Sequence, residues 1–167
     1  MSPLSRPPNA SPRRRSGAPR QSEKPRPRAG TATSRFETKA VGEKPDATAP
    51  DGAAVRLLLR LEGGSMAHFE LPAGAVSHAV IHRTVEEIWF IVSGRGSIWR
   101  RQDGLERIEA LGPGASLTIP LGTAFQFRAD GGAPLSFVAI TMPPWPGAGE
   151  ALPVPGPWEP TVGAGPV

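Results

Sequence analysis

Two histidines and a glutamate stand close together in GAVSHAVIHRTVEEIWFIVSGRG, residues 74 to 96: His78, His82 and Glu87. An imidazole that titrates near neutrality beside a carboxylate is the smallest apparatus for moving a proton, and the same groups are metal ligands. Around them lie the short β-branched and aromatic runs VSHAVIH and EIWFIV, split by a polar break from Arg83 to Glu86. That pattern predicts two strands with a bent connection. Alternation puts His78, Val80 and His82 on one side of the first strand, and Glu87, Trp89 and Ile91 on one side of the second. With both sides turned inward, a histidine and a carboxylate meet in an apolar interior.

A mononuclear metal centre needs about three protein ligands converging on one ion. His82 and Glu87 supply two. His78 has the right parity, but four residues along a regular strand span ~13 Å at about 3.3 Å per residue. A divalent metal therefore requires a bulge that brings His78 to His82 and Glu87, and without one no cofactor is expected. The acid and base then act alone, as catalytic His82 and Glu87. Burial should raise the Glu87 pKa, while a neighbouring carboxylate favours protonated His82.

A second stretch, GASLTIPLGTAFQF from Gly114 to Phe127, repeats the plan of strand, Pro and Gly turn, and strand. Together the two stretches resemble the cupin superfamily, in glycine and proline framework above all: Gly74, Gly94, Gly114, Pro120 and Gly122 fall at motif positions. The family's metal ligands are two histidines and a glutamate in the first motif and a histidine in the second. Here Val80 stands at the first of these positions, His82 and Glu87 at the next two, and Phe125 at the last, with Ala129 where the second motif carries asparagine. The resemblance implies an all-β fold, a jelly-roll barrel of antiparallel strands, with position 125 turned inside. Trp89, Ile91, Phe125 and Phe127, with His78, would then wall a ligand pocket around the polar pair, the usual construction of a site for a small organic molecule. Three functional readings follow: metal-independent acid/base catalysis of the isomerase or cyclase type, a non-catalytic binding module, and a metal-dependent oxygenase or isomerase completed by His78 or His68. Against them stands a filled barrel in which His82 and Glu87 merely pair. Burying two such groups for packing alone is expensive, which weighs against that last reading.

The elements that must hold these residues are all short strands. Residues 53 to 61 and 65 to 71 form a hairpin about Gly63-Gly64, SIWRR and LERIEAL another about Asp103-Gly104, and PLSFVAITM follows a turn at Asp130-Gly131-Gly132. Nine or so strands with no helix between them indicate a sandwich or barrel over residues 53 to 145. His68, in the second strand, reads as a structural histidine.

The flanks differ in composition. Residues 1 to 50 hold eleven Lys or Arg against four acids, so the net charge of +4 resolves into +7 there and −3 in the remainder. Residues 1 to 52 are expected to be a disordered basic, Pro-rich arm, its contact with nucleic acid disfavoured against a plain solvated extension. Residues 146 to 167 form a Pro-rich tail, and Trp145 and Trp158 suggest that it lies on the barrel or on a partner. The 167 residues contain no cysteine and no apolar run long enough for a signal or a membrane span. A cytoplasmic location and no membrane partner are expected. Ile88, Phe90 and Val92 have outward parity and would pair two copies into a homodimer, since a domain of ~90 residues buries only about two-thirds of its surface alone.

Overall fold

The computed structural model describes residues 35 to 166, and among them there are eleven strands and no helix. They are β1 (Ala47–Thr48), β2 (Ala54–Arg60), β3 (Ser65–Leu71), β4 (Val80–His82), β5 (Glu86–Ser93) and β6 (Gly96–Gln102). There follow β7 (Leu105–Leu111), β8 (Ser116–Ile119), β9 (Ala124–Ala129), β10 (Leu135–Met142) and β11 (Ala151–Pro153). One sheet runs β1-β2-β3-β10-β5-β8 and the other β11-β4-β9-β6-β7, every pairing antiparallel. This is the jelly-roll arrangement expected, but the two ladders stay separate. The barrel is open.

β5 carries the inside-outside pattern most plainly. Glu87, Trp89 and Ile91 are buried and Ile88, Phe90 and Val92 exposed, as the period of two requires. From β9, Phe125 and Phe127 enter the same core, where Trp89 stacks on Phe137 at 4.1 Å between centroids and meets Phe125 and Phe127 edge-on. Gly94, just after β5, has φ +77° and lies so close to Pro134 that a Cβ would overlap the Pro134 carbonyl oxygen. Only glycine satisfies both conditions there.

The folded unit takes in more chain than residues 53 to 145. The arm was expected to be disordered as far as residue 52, yet β1 pairs with β2, Ala47 opposite Val55, and Ala49 and Asp51 are buried. Composition hid this, because two residues of edge strand carry no hydrophobic period. Residues 1 to 34 of the arm lie outside the described residues. The C-terminal tail is docked: β11 pairs with β4, and Thr161 N donates to the Val76 carbonyl. Gln126 explains the docking. It faces away from the core, and its amide donates to the Ser77 and Trp158 carbonyls and accepts from Trp158 N, while Arg128 lies over the Trp158 ring at 4.5 Å. Covered in this way, Gln126 is fully buried. No helix among the described residues is long and apolar enough to cross a membrane.

Candidate active site

Between the sheets a cavity of about 460 Å³ opens beside the aromatic core. β4 delivers His82 to its wall, β5 delivers Glu87 and Trp89, and β9 delivers Phe125. Four of the sequence-derived site residues thus converge. Ile91 and Phe127 do not line the cavity; both are fully buried in the core beneath it and support its floor. His78 is elsewhere too. It precedes β4, and its Nε2 lies 2.8 Å from the Val162 carbonyl, so it holds the tail.

Glu87 and His82 are set in contrasting ways. Glu87 Oε2 accepts a hydrogen bond of 2.6 Å from the Trp89 indole, two residues along the same strand face. Glu87 Oε1 faces His82 Nδ1 at 4.0 Å, beyond hydrogen-bond reach, and Nδ1 has no partner. The His82 ring is held edge-to-face by Phe125 at 5.2 Å and Trp145 at 5.3 Å. Trp145 is fixed in turn: its backbone N–H donates to Ser65 Oγ and Thr141 Oγ1. Trp145, just ahead of the C-terminal tail, is therefore a wall of the site.

Burial decides the charge state. Desolvation pushes the Glu87 carboxyl up to about 8, against the Trp89 hydrogen bond, with the nearby Asp51 carboxylate adding to the rise. Desolvation lowers His82 to about 4, although the Glu150 carboxylate favours its charged form. The expectation of a protonated His82 is thus reversed. In this dry wall Glu87 is an undissociated acid, and the Glu150 carboxylate does not offset the desolvation of His82. The pair is neutral near pH 7 and is not a salt bridge.

Two acids were missed by sequence reasoning. Asp51 lines the cavity, its Oδ1 accepting from Ala53 N at 2.9 Å in the turn that precedes β2, and burial raises its carboxyl to about 6. The Asp-Gly turn signal was present at Asp51-Gly52, but it lay inside a stretch read by composition. Glu150 is the other. Burial would raise it, but hydrogen bonds from Thr84 and Val85 prevail and hold it below its ordinary value, so it carries the charge that faces His82.

The donor set does not suit a metal. Val80 is a buried core residue and Phe125 a wall, Glu87 Oε2 is taken by the indole, and His78 is committed to the tail. His68 points to the outer face, where it pairs with Ser136 Oγ at 2.7 Å, opposite in parity to Ala67 and Phe69 of the cavity wall. Among the described residues no three His, Cys, Asp or Glu side chains converge on one point. The bulge that would have brought His78 to the set is absent from the described strand β4, whose partners run in register.

Residues 67 to 141 match the family model described as Cupin domain. These residues form a cupin domain. Among solved structures, this cupin is similar to a Bacillus halodurans protein at 25% identity and TM-score 0.51, over 58% of this chain and 75% of that one. It also resembles ectoine synthase from P. lautus, at 18% identity and TM-score 0.58, covering 74% of this chain and 94% of that one. Oxalate decarboxylase from Bacillus subtilis gives 14% identity and TM-score 0.60 over 72% of this chain, which spans only 33% of that enzyme. The last two likenesses show a shared fold. No curated protein matches the chain in sequence.

Proposed function

We propose that this cupin binds a small organic molecule in the cavity and moves protons on it without a metal, with Glu87 as general acid and His82 as general base. The observation that carries the reading is the pair itself: an undissociated carboxyl and an unprotonated imidazole, 4.0 Å apart on the wall of an aromatic cavity, with Nδ1 unpartnered. With a carbonyl compound bound between them, Glu87 gives its proton to the carbonyl oxygen while His82 Nδ1 takes one from the adjacent carbon. The enol forms, Glu87 becomes carboxylate and His82 imidazolium. Return of the protons at different atoms completes an isomerisation or a ring closure, and the net charge of the pair is the same throughout.

The energetics permit this. Moving a proton from Glu87 at about 8 to His82 at about 4 costs roughly 5 kcal/mol at 1.36 kcal/mol per pKa unit. Opposite charges 4.0 Å apart recover about 4 kcal/mol at an effective dielectric near 20. The cost and the recovery are of the same order, so the ion pair is accessible from the neutral pair as an intermediate state of the transfer.

The experiment is deuterium wash-in from D2O into the α-positions of small apolar ketones and aldehydes, followed by NMR. Wild-type protein should promote exchange, and Glu87→Gln and His82→Ala should each lower the rate by about 10²-fold or more while ligands still bind. Binding without any exchange by the wild type would replace the enzyme reading with that of a binding module using the same groups. A cytoplasmic setting and a homodimer belong to the same proposal. Ile88, Phe90 and Val92 stand 44%, 51% and 48% exposed on the outer sheet face. Sedimentation should show a dimer that Phe90→Arg dissociates; an unchanged species would place the contact elsewhere or exclude it.

A further inference from the structure

The cavity contains two carboxyl groups, Asp51 and Glu87, and no lysine or arginine is among its lining residues. Both acids are more than nine-tenths buried. Buried carboxylates in proteins are ordinarily paired with a cation or a metal, because leaving one alone in a low-dielectric wall is costly. Here the lining supplies neither; the one basic group that acts on Asp51 is His78, outside the cavity, and it offsets less than burial costs. The nearest basic group on the wall, His82, is unprotonated, its Nδ1 is buried, and it has no hydrogen-bond partner. The rest of the wall is mainly small and aliphatic, and four aromatic residues, Phe69, Trp89, Phe125 and Trp145, stand in it.

We infer that the occupant of the cavity is a small organic monocation, an alkylamine or quaternary ammonium compound, whose charge is met by Asp51 and whose flank packs on the aromatic wall. The inference deepens the proposed function, since it rests on the same cavity, but it concerns what is bound and not what is done to it. Charge matching favours one positive charge. Asp51 ionises below neutrality and Glu87 above it, so the cavity carries a single negative charge near pH 7. A monocation leaves no net buried charge. A neutral ligand leaves the Asp51 carboxylate unpaired, and an anion meets it head-on. Aromatic faces attract a desolvated cation by about 2 kcal/mol or more, and an ammonium N–H would find an acceptor in His82 Nδ1.

The test is a charge series of one shape, titrated calorimetrically into the full chain: choline, the uncharged 3,3-dimethylbutanol and the anionic 3,3-dimethylbutyrate. Choline should bind at least about 10-fold more tightly than the alcohol, and the acid should not bind measurably. Asp51→Asn should reduce the choline preference to less than about 2-fold while the alcohol binds as before, with thermal unfolding confirming that the variant is folded. Equal or tighter binding of the alcohol or the acid by the wild type would overturn the inference, as would no binding of choline at millimolar concentration. Because the series reads affinity alone, a monocation preference without any deuterium exchange would retain this inference while removing the catalytic reading, and exchange on neutral carbonyl compounds without cation preference would do the reverse.

Discussion

Trp89→Ala should destabilise the domain by about 3–5 kcal/mol, whereas Trp89→Phe should cost far less and move the titration of Glu87 instead. The first effect comes from packing. Trp89 is 2% exposed and lies at the hub of the aromatic core, stacked on Phe137 and edge-on to Phe125 and Phe127, so truncation leaves a void that three rings surround only partly. The second effect comes from its nitrogen. The indole N–H donates to Glu87 Oε2 and stabilises the ionised carboxyl. Phenylalanine preserves most of the ring contact and removes the donor, so Glu87 should hold its proton to a higher pH than in the wild type. Urea unfolding measures the first effect, and the pH midpoint of the Glu87 carboxyl carbon shift by NMR measures the second. If Trp89→Phe lowered that midpoint, the indole would not be the group that favours the carboxylate.

The double role of Trp89 shows what was legible beforehand. β5 could be read because a strand with one buried face alternates strictly, and Glu87, Trp89 and Ile91 obey that period without exception. The turn glycines could be read for a comparable reason, since Gly94 occupies a backbone conformation that other residues reach only under strain. The histidines could not be resolved in the same way. His78 and His82 share a parity on paper, but only Val80 to His82 is strand, so the alternation that linked them does not extend to His78. Nor could the charge of His82 be settled from its neighbour's type, because whether a glutamate is ionised depends on how dry its surroundings are. Asp51 was hidden by the opposite error. A stretch rich in Pro, Ala and charge averages to disorder, and the few residues of it that pair with β2 contribute nothing to the average. The tail, finally, is held by a buried amide and a cation over a ring, contacts between residues 30 or more apart in the chain that no local pattern announces.

Glu87→Gln should leave the domain more stable than the wild type at pH 8 and should flatten its stability between pH 6.5 and 8, a difference of about 2 kcal/mol across that window. In the unfolded chain Glu87 ionises near its ordinary value of 4.5, whereas in the fold it keeps its proton until about 8. Between those values the unfolded state binds fewer protons, so stability falls as pH rises. Asp51 acts in the same direction but only from 3.8 to about 6, and His82, whose folded pKa is depressed, acts oppositely from about 4 to 6.5. Above pH 6.5 Asp51 is nearly spent and the lowered histidines, His82 and His68, keep only the end of their opposing slope, so Glu87 dominates, at up to about 1.36 kcal/mol per pH unit. Glutamine fits the same place, offering its oxygen to the Trp89 indole and its amide towards His82 Nδ1, and has no proton to lose. Urea unfolding of both proteins at pH 6.5 and 8 decides the matter. Parallel behaviour would mean that Glu87 is already ionised at pH 6.5, and the neutral acid that begins the proposed proton transfer would not exist. Divergence by the expected amount would instead connect stability to chemistry through one group: the proton whose retention keeps the cavity wall neutral is the proton available for the substrate.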